Sequence, residues 1–268
     1  MKVRNKIVAV TGGGNGLGRA SVLDLLSRGA SVAAVDIDES ALKETVELAR
    51  DRQDRLTSHV ADVTDRGAVE ALPGQVISHH GAVDGLINSA GIIQPFVRVN
   101  DLAYEAIERL MNVNFYGTLY MAKAFLPHLL ARPEGHIVNI ASTGAFLAVP
   151  GQTIYGASKA AVKLLTEGLR GELQSTNVRV TLIFPGLLDT DIAANSGVEA
   201  RQLAISNRQG VRTLTPDRAA QIIVDGMERD RSRMRVGADA VFLDLISRLS
   251  PERAARLIYR LMGSLLSE

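Results

Sequence analysis

Lys6-Ile7-Val8-Ala9-Val10-Thr11-Gly12-Gly13-Gly14-Asn15-Gly16-Leu17-Gly18 is the stretch that decides the fold. The β-branched run Lys6–Val10 breaks off into glycines, which reads as a short buried strand running into a turn. From Gly16 the pattern turns helical, with Leu17, Ala20, Val22, Leu25 and Leu26 on or near one face, and Gly29 ends it as a C′ glycine does. Glycine adopts positive φ freely and has no Cβ, so Gly12, Gly16 and Gly18 let a diphosphate approach the backbone at a helix N-terminus, beside Asn15 and Leu17. A tight turn with no ligand is the competing reading. The strand–turn–helix setting favours the nucleotide.

The same unit repeats along the chain. Ser31–Asp36 is the next strand, followed by a helix from Ser40 to Arg52. Further strands are expected at Leu56–Ala61, Val83–Asn88, His136–Ala141 and Val178–Phe184, with helices near 65–79, 101–131 and 153–174. Continuous apolar strands alternating with amphipathic helices predict a doubly wound parallel sheet of about seven strands, with helices on both faces. No repeat, low-complexity tract or Pro/Gly/Ser linker divides the 268 residues, so a single domain over 1–268 is expected. Residues 187–215 lose periodicity after Pro185; a long irregular segment there reads as a substrate lid.

Composition narrows the function. With 46% apolar and 22% charged residues the chain is ordinarily globular. It has no cysteine, which excludes a disulfide scaffold, a thiolate metal site and a cysteine nucleophile, and fits a reducing, cytoplasmic setting. A net charge of +1 leaves no electrostatic footprint for nucleic acid. The apolar run after Lys2, Arg4 and Lys6 is too short for a signal peptide, and no run is long enough to span a membrane. His59, His79, His80, His128 and His136 show no metal-ligand spacing, so no metal is expected.

Asp36 ends the second strand about twenty residues past the glycines, where a carboxylate can accept hydrogen bonds from an adenosine ribose. Its charge opposes a 2′-phosphate, and neither Asn15 nor Ile37 supplies a compensating cation. NAD is therefore expected over NADP; a simple turn-capping role for Asp36 is the alternative.

Tyr155 and Lys159 stand four apart on one predicted helix and share a face. Ser142 ends a strand thirteen residues before that tyrosine. With these residues in view the sequence resembles the short-chain dehydrogenase/reductase family, whose members have a Rossmann-type fold. The matching pieces are TGGGNGLG at 11–18, Asp62-Val63, NSAG at 88–91, Asn114, Ser142, YGASK at 155–159 and PGLLDT at 185–190, in the family's order over roughly the first 190 residues.

The resemblance implies roles. Tyr155 is the expected general base in oxidation and acid in reduction. Since a free phenol near pKa ~10 is a poor base at neutral pH, Lys159 and an oxidised nicotinamide are expected to lower it. Lys159 also holds the nicotinamide ribose, Ser142 hydrogen-bonds the substrate oxygen, and Asn114 anchors a water in a proton relay. Asp62 and Val63 border the adenine, while Asn88, Ala90 and Gly91 line the cofactor cleft. Pro185 and Gly186 lead to Leu188 and Thr190, which meet the carboxamide. Ser89 replaces the family's more frequent asparagine.

The expected activity is hydride transfer between a nicotinamide cofactor and a secondary alcohol or ketone. Ile92, Ile93, Pro95, Phe96, Ala145, Phe146 and Leu147 carry no cation, which suits a neutral, apolar substrate. An NADP-dependent carbonyl or 3-oxoacyl reductase is the runner-up, and a non-catalytic nucleotide sensor the reading from another class.

The tail departs from the family. Where many members carry a glycine-rich end that builds a tetramer contact, 240–268 turns helical, so a homodimer and a homotetramer both stay open. After Ser250-Pro251, the residues Ala254, Leu257, Ile258, Leu261, Met262 and Leu265 form one apolar face, with Arg253, Arg256 and Arg260 largely off it. Packing on the chain's own body is favoured over a dimer contact or pocket cover, and over peripheral membrane attachment.

Overall fold

A computed structural model describes residues 1–190, 192–198, 213–263 and 266. Seven strands form one sheet in the order β3-β2-β1-β4-β5-β6-β7, every pair parallel. They are β1 Ile7–Thr11, β2 Ser31–Asp36, β3 Leu56–Val60, β4 Gly85–Asn88, β5 Gly135–Ile140, β6 Val178–Pro185 and β7 Arg233–Val236. Strand order reverses between β1 and β4. That switch point opens a crevice at the carboxyl ends of the strands, where ligands of such sheets bind.

The two-residue period of β1 explains why both faces are covered. Val8 and Val10 point to one side, with α1 (Gly16–Ser27) and α8 (Pro216–Glu228) packed there through Val22, Leu25, Leu26, Ile223 and Met227. Ala9 points to the other, where α3 (Arg66–His80) and α5 (Thr118–Leu130) bring Leu72, Val76, Phe125 and Leu129. All of these are fully or almost fully buried. α6 (Thr153–Glu172) follows β5 and buries Val162 against Leu182 and Phe184 of β6.

Two predicted elements differ in detail. The second helix, α2, is Glu39–Ala49 rather than reaching Arg52: Arg50 turns to φ 53° and a 3-10 turn, Arg50–Arg55, leads into β3. The stretch expected as one helix over 101–131 is α4 (Tyr104–Met111), a π-helical segment Asn112–Gly117, and α5. Gly117 lies so close to Val63 that a Cβ there would stand 2.7 Å from Cγ2, and the wider turn is accommodated at that contact.

Within 187–215, the described part holds α7 (Ile192–Asn195) and an isolated parallel bridge between Leu188 and Leu214. The remainder of the expected lid, residues 191 and 199–212, lies outside the described residues. After β7 come α9 (Ala238–Leu249) and α10 (Pro251–Met262). Ala254 and Ile258 of α10 are buried with Leu147, against Phe146 and Val149. Ala254 and Ile258 of the expected stripe thus pack on the chain's own body and back the loop that follows Ser142, whereas Leu261 is exposed and Leu265 lies outside the described residues. Among the described residues no helix is long and apolar enough to cross a membrane.

Candidate active site

The cleft at the switch point has a volume of about 750 Å³. It gathers Gly12, Asn15, Gly16, Leu17 and Gly18 from the first turn, Asp36 from β2, and Asp62 and Val63 from the turn after β3. Ala90 and Gly91 follow β4, Ser142 follows β5, Tyr155 and Lys159 come from α6, and Pro185, Gly186, Leu188 and Thr190 from the end of β6. Two predicted residues, Asn88 and Asn114, are buried behind the wall instead.

The glycine loop has the shape that a diphosphate requires. Gly12 and Gly16 have φ of 69° and 49°. A Cβ on Gly18 would collide with the Gly12 carbonyl, so only glycine lets α1 start this close to the turn. Asn15 makes no side-chain cap and the first turn of α1 carries no acidic residue, which leaves its amides and its positive dipole end for an anion. These features fit a dinucleotide.

Asp36 helps to build this loop as well as face the cleft. Its Oδ2 accepts the Gly14 amide at 2.9 Å, and its Oδ1 accepts the Asp38 amide at 3.1 Å. Arg19, not singled out in the sequence, donates through Nε to the Gly14 carbonyl at 2.7 Å and pairs through Nη2 with Glu44 at 2.6 Å. The loop is thus held at both ends of Gly14, and the Arg19 guanidinium is committed to it.

Asn88 donates to Asn139 Oδ1 at 2.8 Å, and Asn139 donates to Thr166 at 3.0 Å, which ties β4, β5 and α6 together in the core. Asn114 sits on the π-helical segment with its side chain fully engaged. Oδ1 accepts the Ile92 amide at 2.9 Å, while Nδ2 donates to the Ile92 carbonyl and to Ser158 Oγ, each at 3.0 Å. Its observed work is to fix the strand exit against α6.

Tyr155 forms a side-chain hydrogen bond with Ser142, which favours the ionised phenol, yet burial outweighs it and pushes the phenol above its ordinary value. This is opposite in direction to the sequence expectation for a base. Lys159 is buried, donates to the Ile140 carbonyl at 3.1 Å, and burial brings its ammonium down to about 8. Gly91 makes room for it: a Cβ there would stand 3.2 Å from Lys159 Nζ and 3.3 Å from Asn114 Oδ1.

Of the apolar residues expected around the substrate, Ile92 and Ile93 line the cleft. Phe96 and Leu147 are buried, and Phe146 stacks edge-on with Phe184 at 5.3 Å, so these serve packing. The sequence reading missed Glu105, Glu108 and Arg109 of α4, which also line the cleft, because α4 was read as an undivided part of a longer helix. It also missed Asp239, whose Oδ2 accepts the Leu187 amide at 2.7 Å and so braces the loop that carries Leu188 and Thr190. No group of three or more His, Asp or Glu poised for a metal occurs among the described residues.

The sequence profile described as short chain dehydrogenase matches residues 6–200. This chain belongs to the short-chain dehydrogenase/reductase family. It is 36% identical over 259 residues to "Putative oxidoreductase SadH" of Mycobacterium tuberculosis, covering 94% of each chain. It is 31% identical over 226 residues to "3-oxoacyl-[acyl-carrier-protein] reductase FabG" of Thermotoga maritima, covering 84% of this chain and 91% of that one. A short-chain dehydrogenase/reductase of Burkholderia phymatum, solved in complex with NAD, superposes with a TM-score of 0.87 at 27% identity over 94% of this chain and 96% of that one. One from Burkholderia cenocepacia, solved with NADP, gives 0.79 at 27% identity, covering 100% of both chains. Short-chain dehydrogenase/reductase membership makes this protein an oxidoreductase, and the glycine loop, the Ser142–Tyr155 pair and the buried Lys159 fall in one cleft as such an enzyme needs.

Proposed function

We propose that this short-chain dehydrogenase/reductase interconverts a secondary alcohol and its ketone, with NAD preferred over NADP. The observation that carries the reading is the meeting of Ser142, Tyr155 and Lys159 on one wall of a cleft whose far end is the glycine loop and Asp36. Bound nicotinamide supplies or takes the hydride. Tyr155 holds the proton that leaves or reaches the substrate oxygen, and Ser142 orients that oxygen by hydrogen bonding. Lys159 brings a positive charge next to the cofactor ribose position. Asn114 acts through Ile92 and Ser158 to fix the wall.

Burial raises the tyrosine in the protein alone, so its ionisation depends on positive charge brought by the oxidised cofactor. Asp36 supports the NAD preference because Arg19 is committed to Gly14 and Glu44, while Ile37 is 66% exposed and apolar. Ile92 and Ile93 support a neutral, apolar substrate, and with two carboxylates beside one guanidinium, the α4 wall offers no net positive charge to an anion. We read 1–268 as one domain in which 187–215 acts as a lid. The Leu188–Leu214 bridge, with the Asp189 amide donating to the Leu214 carbonyl at 3.1 Å, joins the two ends of that segment. A cytoplasmic homo-oligomer completes this reading; it rests on the family and on the absence of cysteine.

The test is NADH formation over secondary alcohols graded in size and polarity, with NADP run in parallel. Preference for NAD and for apolar bulk is expected, with Tyr155→Phe losing about 10²–10⁴-fold in rate while retaining cofactor binding. An unchanged Tyr155→Phe rate refutes the assigned role. The similarity to a 3-oxoacyl reductase and to an NADP-bound structure gives the second reading, reduction of a carrier-bound ketone with NADP. Tighter NADPH than NADH binding would select it.

A further inference from the structure

We propose that Gln94 is a positioning residue for Tyr155: it caps the catalytic helix from a separate loop and grips the peptide of the tyrosine itself. The inference rests on the role of Tyr155 proposed above and adds a residue to it.

Gln94 lies in the irregular stretch after β4 and is 2% exposed. α6 starts at Thr153, and its own N-cap, Gln152, makes no side-chain bond to the first turn. The first amides of a helix have no partner within it and must be satisfied from elsewhere. Gln94 Oε1 accepts from the amides of both Ile154 and Tyr155, each at 3.0 Å. Its Nε2 donates to the Gly151 carbonyl at 2.9 Å, and its own carbonyl accepts from Gln152 Nε2. Two donors on one side and an acceptor on the other leave the carboxamide a single satisfying orientation.

The other end of the same residue is held as well. The Tyr155 carbonyl accepts from Ser158 Oγ at 2.7 Å, Ser158 Oγ accepts from Asn114 Nδ2 at 3.0 Å, and Asn114 brackets the Ile92 peptide. Ile92 and Gln94 are two residues apart in one loop. The Tyr155 backbone is therefore clamped at its N–H by Gln94 and at its C=O by the Asn114 relay, both anchored to the strand exit that lines the cleft. Glutamine suits this position: its neutral oxygen satisfies two amides without placing a second negative charge near a phenol that must ionise.

The test uses the full chain with Gln94→Met, which keeps length and removes the bonds, Gln94→Asn, which shortens the reach, and Gln94→Glu, which keeps the acceptor. On an alcohol turned over by the wild type, Gln94→Met is expected to lower kcat by about 10–100-fold and Gln94→Asn by less, since displacements of ~1 Å at a reacting group cost up to 10²-fold. KM and the NADH dissociation constant stay within about twofold, and Gln94→Glu recovers only part of the kcat lost in Gln94→Met, because it keeps the acceptor but adds a charge near the phenol and loses the donor to Gly151. Independently of substrate, tyrosinate absorbance is titrated with NAD bound, using Tyr155→Phe to identify the Tyr155 signal. Its midpoint rises in Gln94→Met and Gln94→Asn. Wild-type kcat and midpoint in Gln94→Asn, and in Gln94→Met if it folds, overturn the proposal. A Tyr155→Phe enzyme of unchanged rate sinks the role of Tyr155, and this proposal with it.

Discussion

Asp36 gives the sharpest handle on cofactor choice. Replacing it with serine and Ile37 with arginine removes a carboxylate and adds a guanidinium where a 2′-phosphate would lie. Two unit charges about 5 Å apart interact by about 0.8 kcal/mol in water and about 3 kcal/mol at an effective dielectric of ~20. Ile37 is well exposed, so the lower part of that range applies. Removing the repulsion and adding an attraction is then worth about 2–4 kcal/mol, or roughly 30–1000-fold in relative NADPH over NADH affinity. The change has a second cost. Asp36 accepts the Gly14 and Asp38 amides, and loss of two charge-assisted bonds destabilises by about 1–3 kcal/mol. Fluorescence titration with NADH and NADPH, beside thermal unfolding, reads both effects. A wild type that binds NADPH as tightly as NADH refutes the argument, as does a double variant with an unmoved ratio.

Gly91→Ala sets a Cβ 3.2 Å from Lys159 Nζ and 3.3 Å from Asn114 Oδ1. The lysine end yields, so steady-state turnover is expected to fall about tenfold or more while unfolding temperature moves little. His136 is buried, bonded to Thr181 at 2.8 Å, and held down to about 3 by burial, with the N-terminal amine and Arg179 reinforcing the shift and Asp230 opposing it. At 3.6 Å from Asp230 it is thus neutral rather than an ion-pair partner at pH 7. The unfolded chain takes up the proton first as pH falls below 6.5, so stability is lost downward from there, by about 2 kcal/mol at pH 5. Denaturant unfolding of His136→Gln between pH 7 and 5 is expected to lose that slope; an acid limb as steep as the wild type's would refute it. Ile258→Ala opens the buried contact of α10 with Leu147, costing about 2–4 kcal/mol and raising KM more than it lowers kcat; an unaltered KM would separate the helix from the substrate side.

The glycine loop, Asp36 and the Tyr155–Lys159 spacing were legible because each depends on local chemistry at a fixed offset. Strands were legible for the same reason: buried parallel strands read as unbroken apolar runs, and their predicted ends moved by only one or two residues. The division of 101–131 was hidden because the π-helical segment answers to a tertiary contact, Gly117 on Val63, that no helical period reveals. Gln94 and Asp239 were hidden for a related reason. Their amide partners, at Ile154, Tyr155 and Leu187, lie far along the chain, and a lone glutamine or aspartate carries no motif. Phe146 and Leu147 were read as pocket because they follow Ser142, but α10 claims them. The upward Tyr155 shift in the protein alone ran against the expectation because it is set by burial, which residue type does not reveal.

α9 and α10 follow the last strand and serve the cleft rather than the sheet. The last strand of the sheet ends at Val236, so residues 1–236 hold all seven of its strands. Asp239, which braces the Leu187 amide, and Ile258, which backs the loop after Ser142, both lie beyond it. Scaffold and site supports are thereby divided along the sequence: a change after Val236 acts on the Leu187 loop and on the loop after Ser142 without removing a strand.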